Sequence, residues 1–205
     1  MKALFSFFIV ILLLSAIPAQ EIGIAPTKIW TDNREIQNPF GYSVYYFQKI
    51  WKIGLKAEYV AAKNERKYYG LVISGFLQNP DEVRYENVSS SSDFRAIEFS
   101  VIVPDLIQFE GFNFNFGGGL SFDKFKGERY GLESGKEATL FEKNKTGVFY
   151  SASISRSRLF ELPVKIEFLF KGKSLSGRNF TTDIEDPFAG AIGVYELQFN
   201  LSLLL

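Results

Sequence analysis

The stretch EGFNFNFGGGLSF, residues 110–122, decides how the rest of the chain is read. Phe112, Phe114 and Phe116 stand at every second place, and Leu120 and Phe122 keep the phase. Asn113, Asn115, Gly117, Gly119 and Ser121 fill the gaps. A period of two belongs to a strand, whose successive side chains point to opposite faces. One face is oily and the other is small and polar. The oily face needs either a packed core or lipid.

The same alternation recurs along the chain and gives eight candidate strands: 22–30, 40–47, 52–62, 94–103, 110–122, 147–157, 164–171 and 193–205. In the third, Ile53, Leu55, Ala57, Tyr59 and Ala61 oppose Lys52, Gly54, Lys56 and Glu58. In the last, Tyr195, Leu197, Phe199, Leu201 and Leu203 oppose Glu196, Gln198, Asn200 and Ser202. A helical period is not evident, although residues 131–145 leave room for one exposed helical turn. The segment KYYGLVISGFL, residues 67–77, reads as an extension of the third strand or as half of an extramembrane hairpin with EVRYENV. A ten-stranded count stays open.

Short links (QKIW, PDLIQF, RLFELP) alternate with long ones (31–39, 63–93, 124–146, 172–188). Short turns on one side and long loops on the other describe an up-and-down barrel that crosses a membrane. The first residues, MKALFSFFIVILLLSAIPAQ, carry a lysine, a short apolar run and small residues before polar ones. They read as a secretory leader over 1–19, followed by a barrel domain over 20–205.

Composition narrows the function classes. The 205 residues contain no cysteine and no histidine, and 23 basic side chains balance 23 acidic ones. Disulfides and thiolate metal sites are excluded, and no basic field suggests nucleic acid. A soluble barrel would place frequent charges on its outer face. Here the polar faces hold mainly Ser, Asn and Gly, and charges concentrate in the links. One Lys or Arg facing mid-bilayer costs about 2–4 kcal/mol. Only Arg95 and Lys28 share an oily phase, near strand ends where their stems can snorkel. Trp30, Tyr42, Tyr46, Trp51 and Tyr59 suit interfacial girdles.

With the leader, FGYSVYYFQKIWKIGLKAEY, FRAIEFSVIVPDLIQFEGFNFNFGGGLSF and the closing strand, the sequence resembles the small OmpA/OmpX-like outer-membrane barrels over nearly all of the mature chain. The resemblance implies an all-β, closed antiparallel barrel, most simply of eight strands. It implies outer-membrane lipid and the outer-membrane assembly machinery as partners. Barrels of this kind usually end on an aromatic residue; this one ends on Leu205.

Two sets of residues follow from the phase. Lys52, Lys56, Glu58, Glu98, Lys165, Glu167 and Glu196 are expected in the lumen, as a mutually paired plug or as a charged pore. Phe112, Phe114, Phe116, Leu120, Phe122, Leu197, Phe199 and Leu201 are expected to face lipid. Ser151, Ser153 and Ser155 form a row of hydroxyls with no histidine to act as base. FGGGLS lacks the lysine of a phosphate loop, and neither DNRE nor DIED has calcium-loop spacing. No catalytic residue, metal or cofactor is expected. The leading expectation is a monomeric, non-enzymatic outer-membrane barrel acting through its outer loops, with an unknown surface partner. A narrow passive pore and a soluble periplasmic barrel binding an apolar ligand are the alternatives.

Overall fold

The computed structural model describes residues 20–32, 38–73, 83–133, 135, 137–158, 161–175 and 192–205. The expected leader and the DIED carboxylates lie outside them, as does most of the 172–188 link. Eight strands follow one another: β1 (Gln20–Thr31), β2 (Phe40–Ile50), β3 (Ile53–Ile73), β4 (Val83–Phe109), β5 (Phe112–Gly131), β6 (Glu137–Ser157), β7 (Val164–Leu175) and β8 (Ile192–Leu204). Each pairs antiparallel with its neighbour, and β8 returns to β1 to close the ring.

Register sets the shape of the barrel. Paired residues can be followed around the ring from Trp30 through Tyr195, Gly172, Tyr150, Gly118, Val101, Leu55 and Gln48 to Gln20. The path returns to β1 displaced by ten residues. For eight strands that stagger requires a tilt of about 40°. Each residue then climbs about 2.5 Å along the barrel axis.

The outward faces form a continuous apolar belt. On β8 it runs from Leu203 through Leu201, Phe199 and Leu197 to Tyr195, all exposed. Those eight residue steps span about 20 Å of height, close to the apolar band of a transmembrane barrel. Ile97, Phe99, Val101 and Val103 continue the belt on β4, and Phe116, Leu120 and Phe122 on β5. The chain is a transmembrane β-barrel of eight strands.

The strands run longer than their sequence pattern suggests. Residues 67–73, the described part of KYYGLVISGFL, continue β3 and pair with β4 as far as Ile73↔Val83, so the strand extension and the hairpin partner belong to one ladder. Within residues 131–145 the described part shows a single α-turn and otherwise strand. Residues 137–145 belong to β6, and the chain turns before them, with the Gly135 N–H donating to the Gly131 carbonyl at 3.0 Å. Gly135 has φ +68, which glycine adopts without strain.

PDLIQF is also not a turn. The pairing of β4 with β5 shifts between Val103 and Ile107, a bulge that accommodates Pro104, which has no N–H to give the ladder. The strand then resumes to a two-residue turn at Glu110 and Gly111, both with positive φ. Leu106, Ile107 and Phe109 are exposed there and extend the belt downward, which explains why the link is so apolar. Gly119 meets a steric need: a Cβ on it would lie 2.0 Å from the Phe99 carbonyl oxygen. Outward Gly172 lies beneath the ring of its cross-strand partner Tyr150, 2.4 Å from where its Cβ would be.

Closure is testable in this cysteine-free background. Ile24 and Leu201 are paired across β1 and β8. Ile24→Cys with Leu201→Cys should form a disulfide on mild oxidation of the folded protein. Ile24→Cys with Val148→Cys, on a distant strand, should not. An open sheet would give no preference for the first pair.

Candidate functional site

The inward faces fill the lumen in three levels. Near the short turns, Glu167 is the organising group. Its carboxylate accepts from Ser153 Oγ at 2.5 Å, from Asn115 Nδ2 at 3.3 Å and from Asn200 Nδ2 at 2.8 Å. Beside it, Lys165 pairs with Glu21 at 3.0 Å. At the mouth below, Lys49 pairs with Asp105 at 2.6 Å. The Asp105 N–H donates to Asn115 Oδ1 at 2.9 Å, which ties the β4 bulge to this level.

The middle level is an ionic network. Glu58 and Glu98 are direct cross-strand partners on β3 and β4, and like charges so placed repel. Lys171 reaches them from β7, on another part of the wall, at 2.7 and 2.6 Å. It also meets Glu196, its own cross-strand partner, at 3.4 Å. Two residues farther along β7, Lys173 pairs with Glu98, Glu196 and, at 3.3 Å, Asp123. Lys56 completes the network at 2.8 Å from Glu58. These side chains are at most 4% exposed, so water screens the pairs little. Lys145 is buried opposite Asp123 on β6.

Aromatic rings flank the buried ammonium groups. Lys56 Nζ lies 4.1 Å from the Tyr45 ring centre, Lys173 Nζ 5.0 Å from Phe94 and Lys171 Nζ 5.8 Å from Phe149. Cation–π attraction there offsets part of the lost hydration.

Above the network the inward face turns apolar. Ile29, Val60, Ala62, Phe94, Ala96, Phe125, Leu175, Ile192 and Val194 form one buried cluster, and Phe141 packs against it. Phe94 and Phe125 lie 5.1 Å apart at a 55° tilt. This layer seals the network from the long-loop side. An entirely hydrophilic hollow, as the polar strand phases imply, therefore does not describe the upper lumen.

The structure places Lys56, Glu58, Glu98, Lys165, Glu167 and Glu196 inside the barrel. Lys52 departs from its expected place. It lies in the turn between β2 and β3, exposed, with its ammonium 5.8 Å from the Trp51 ring centre. Trp51 has φ +59, so strand alternation does not carry through the turn to Lys52. Among the residues expected to face lipid, Phe114 is half-buried and the others are exposed on the outer wall. Lys171, Lys173, Asp123, Glu21 and Asn115 are members the sequence reading left out. Continuing the alternation past residues 122 and 171 finds Asp123 and Lys173.

Removing one member of a buried ion network leaves its partners uncompensated and typically costs about 3–5 kcal/mol. Lys171→Met should lower stability by about that amount, read from urea unfolding in detergent micelles. Adding Glu98→Gln to it should recover part of the loss. Equal stability of Lys171→Met and the wild type would contradict the ion-paired arrangement.

No protein-family model and no curated relative matches the chain. Solved structures do. Neisserial surface protein A, NspA, matches with a TM-score of 0.55 at 10% identity, over 91% of this chain and 96% of that one. A major outer membrane protein from Thermus thermophilus matches with a TM-score of 0.56 at 9% identity, over 91% and 100%. Ail, the attachment invasion locus protein of Yersinia pestis, matches with a TM-score of 0.51 at 12% identity, over 91% and 97%. With eight strands, a ten-residue stagger and a filled lumen, the chain has the fold of the small OmpA/OmpX-like outer-membrane barrels.

Proposed function

We propose that this chain is an integral, non-enzymatic outer-membrane protein that makes surface contacts through strands rising above the membrane. The observation that carries this reading is the unequal height of the barrel wall. The β2–β3 pairing ends at Phe40↔Lys63, yet β3 and β4 stay paired to Ile73↔Val83. The β4–β5 pairing continues to Val88↔Gly131, and β5–β6 to Tyr130↔Glu137. From residue 63 to 73 the wall rises about 25 Å farther. Hydrocarbon requires no such extension, and a rigid sheet presents side chains at lower entropic cost than a flexible loop.

The lumen supports a contact role over transport. Its ionic network and apolar seal occupy the path a solute would take. The serine row is engaged structurally, with Ser153 donating to Glu167 and Ser155 accepting from Asn115 at 3.2 Å. Attachment is part of Ail's name, but at 12% identity the likeness extends to the fold, and the contact reading rests on the sheet. Residues 1–19 would direct export, and the assembly machinery would insert the barrel.

Three measurements separate the readings. The folded protein should resist carbonate extraction from membranes; release would favour a soluble barrel. In planar bilayers it should give no stepwise conductance; steady steps would favour the pore. Asn64 and Ser92 are cross-strand partners. Joining them through an Asn-Gly turn in place of residues 65–91 should leave a heat-modifiable barrel but abolish adhesion of expressing cells to a host-cell layer. Undiminished adhesion would contradict the sheet's role.

A further inference from the structure

At the upper edge of the belt, the outer wall is not uniform. On the β8–β1–β2 side the edge is aromatic, with Tyr195, Trp30, Phe40 and Tyr42 all exposed. On the β4–β6 side it is charged. Asp93, Arg95, Lys124, Lys126, Glu128 and Glu142 line one groove of about 310 Å³.

The charged row of this groove nearest the belt holds cations alone, and the row above it is mixed. Directly below lie Ile97 and Phe122, cross-strand partners, and below them Phe99, Leu120 and Val148. The next row up places Arg95 opposite Lys124. Above that come Asp93, Lys126 and Glu142. The row touching the belt is therefore cationic, and carboxylates appear one row higher.

Arg95 opposite Lys124 is unfavourable by itself, since like charges across a ladder repel. Each cation turns to a carboxylate above, Arg95 to Asp93 at 2.8 Å and Lys124 to Glu142 at 2.5 Å. The side chains of Arg95 and Lys124 remain 58% and 47% exposed. Such exposed pairs contribute little and exchange readily for a better anion. The carboxylates of Glu142 and Asp93, one row higher, repel an anion that would climb farther.

We propose that Arg95 and Lys124 form a binding site for the phosphorylated headgroup of a lipid in the surrounding outer leaflet. The guanidinium fork and the ammonium hold the phosphate, a charge-assisted contact that arginine makes in bidentate geometry. Acyl chains lie on Ile97, Phe99, Leu120, Phe122 and Val148. A lipid fits better than a soluble anion because the cations border the apolar wall and the carboxylates lie on the aqueous side. The site depends on the membrane orientation of the barrel and not on the contact role of the sheet.

The test is lipid retention in native mass spectrometry, from micelles containing bisphosphorylated lipid A or the same lipid stripped of phosphate. Heat modifiability on gels checks the fold of each variant. The wild type should retain the bisphosphorylated lipid. Arg95→Gln with Lys124→Gln should reduce retention by about tenfold or more, as expected for lost charge-assisted contacts. Asp93→Asn, which releases Arg95, should raise it. Lys28→Gln, on the aromatic side, should change nothing. Equal retention by the double variant, equal retention of the stripped lipid, or an equal loss in Lys28→Gln would overturn the proposal. Displacement by millimolar inorganic phosphate would overturn it in favour of a free-anion site. If the double variant does not fold, Lys124→Gln and Asp93→Asn must still shift retention in opposite directions.

Discussion

Hydrocarbon offers no hydrogen-bond partner to a peptide group, so every N–H and C=O of a spanning strand must be satisfied by a neighbouring strand. The pairing of β1 with β8 meets that demand, and much of the remaining structure follows from it. Closing eight strands with a ten-residue stagger fixes a narrow interior that side chains can fill. Inward residues must then satisfy one another, because bulk water has little access to them. Outward residues must be apolar over about 20 Å and can change character only at the edges. Arg95 and Lys124 mark one such edge, and Tyr195 and Trp30 another.

The filled interior makes a specific electrostatic choice. Buried ion pairs are costly to assemble, and an apolar replacement is often as stable. What the pairs provide here is connection between different parts of the wall. Lys171 and Lys173 reach from β7 to carboxylates on β3, β4, β5 and β8. Wrong registers would leave those carboxylates buried without partners, so the network favours one stagger over others. The Phe94–Phe125 layer above excludes water and keeps the pairs strong. The wall and its filling therefore support each other.

How much of this was legible in the sequence depended on where alternation stayed regular. Residues 112–122 and 195–203 show the outward phase plainly, because Phe and Leu alternate there with Asn, Ser and Gln. Three physical events obscured the rest. At Pro104 the bulge shifts register, so the residues of β4 beyond it read as a link between strands. At Trp51 the turn breaks the phase, so alternation points Lys52 to the lumen although it faces solvent. Around Phe94 and Phe125 the inward face is itself apolar, and a rule of polar inside and oily outside has no place for a hydrophobic seal. Alternation reports which residues share a face. It cannot report that the filling of that face changes from ionic to apolar with height. Lys173 and Asp123 lay just beyond the assumed strand ends, so their partnership needed the fold to become visible.

The account depends most on the direction in which alternate side chains point, and spin labels placed singly along residues 119–125 and 195–203 in lipid bilayers report it. Labels at Leu120, Phe122, Leu197, Phe199 and Leu201 should relax strongly with dissolved oxygen, which concentrates in hydrocarbon. Labels at Ser121, Asp123, Glu196 and Gln198 should be immobilised and shielded from both oxygen and a polar nickel chelate. The opposite phase, or high chelate access at Leu120 and Leu197, would contradict a lipid-facing belt around a filled ionic interior.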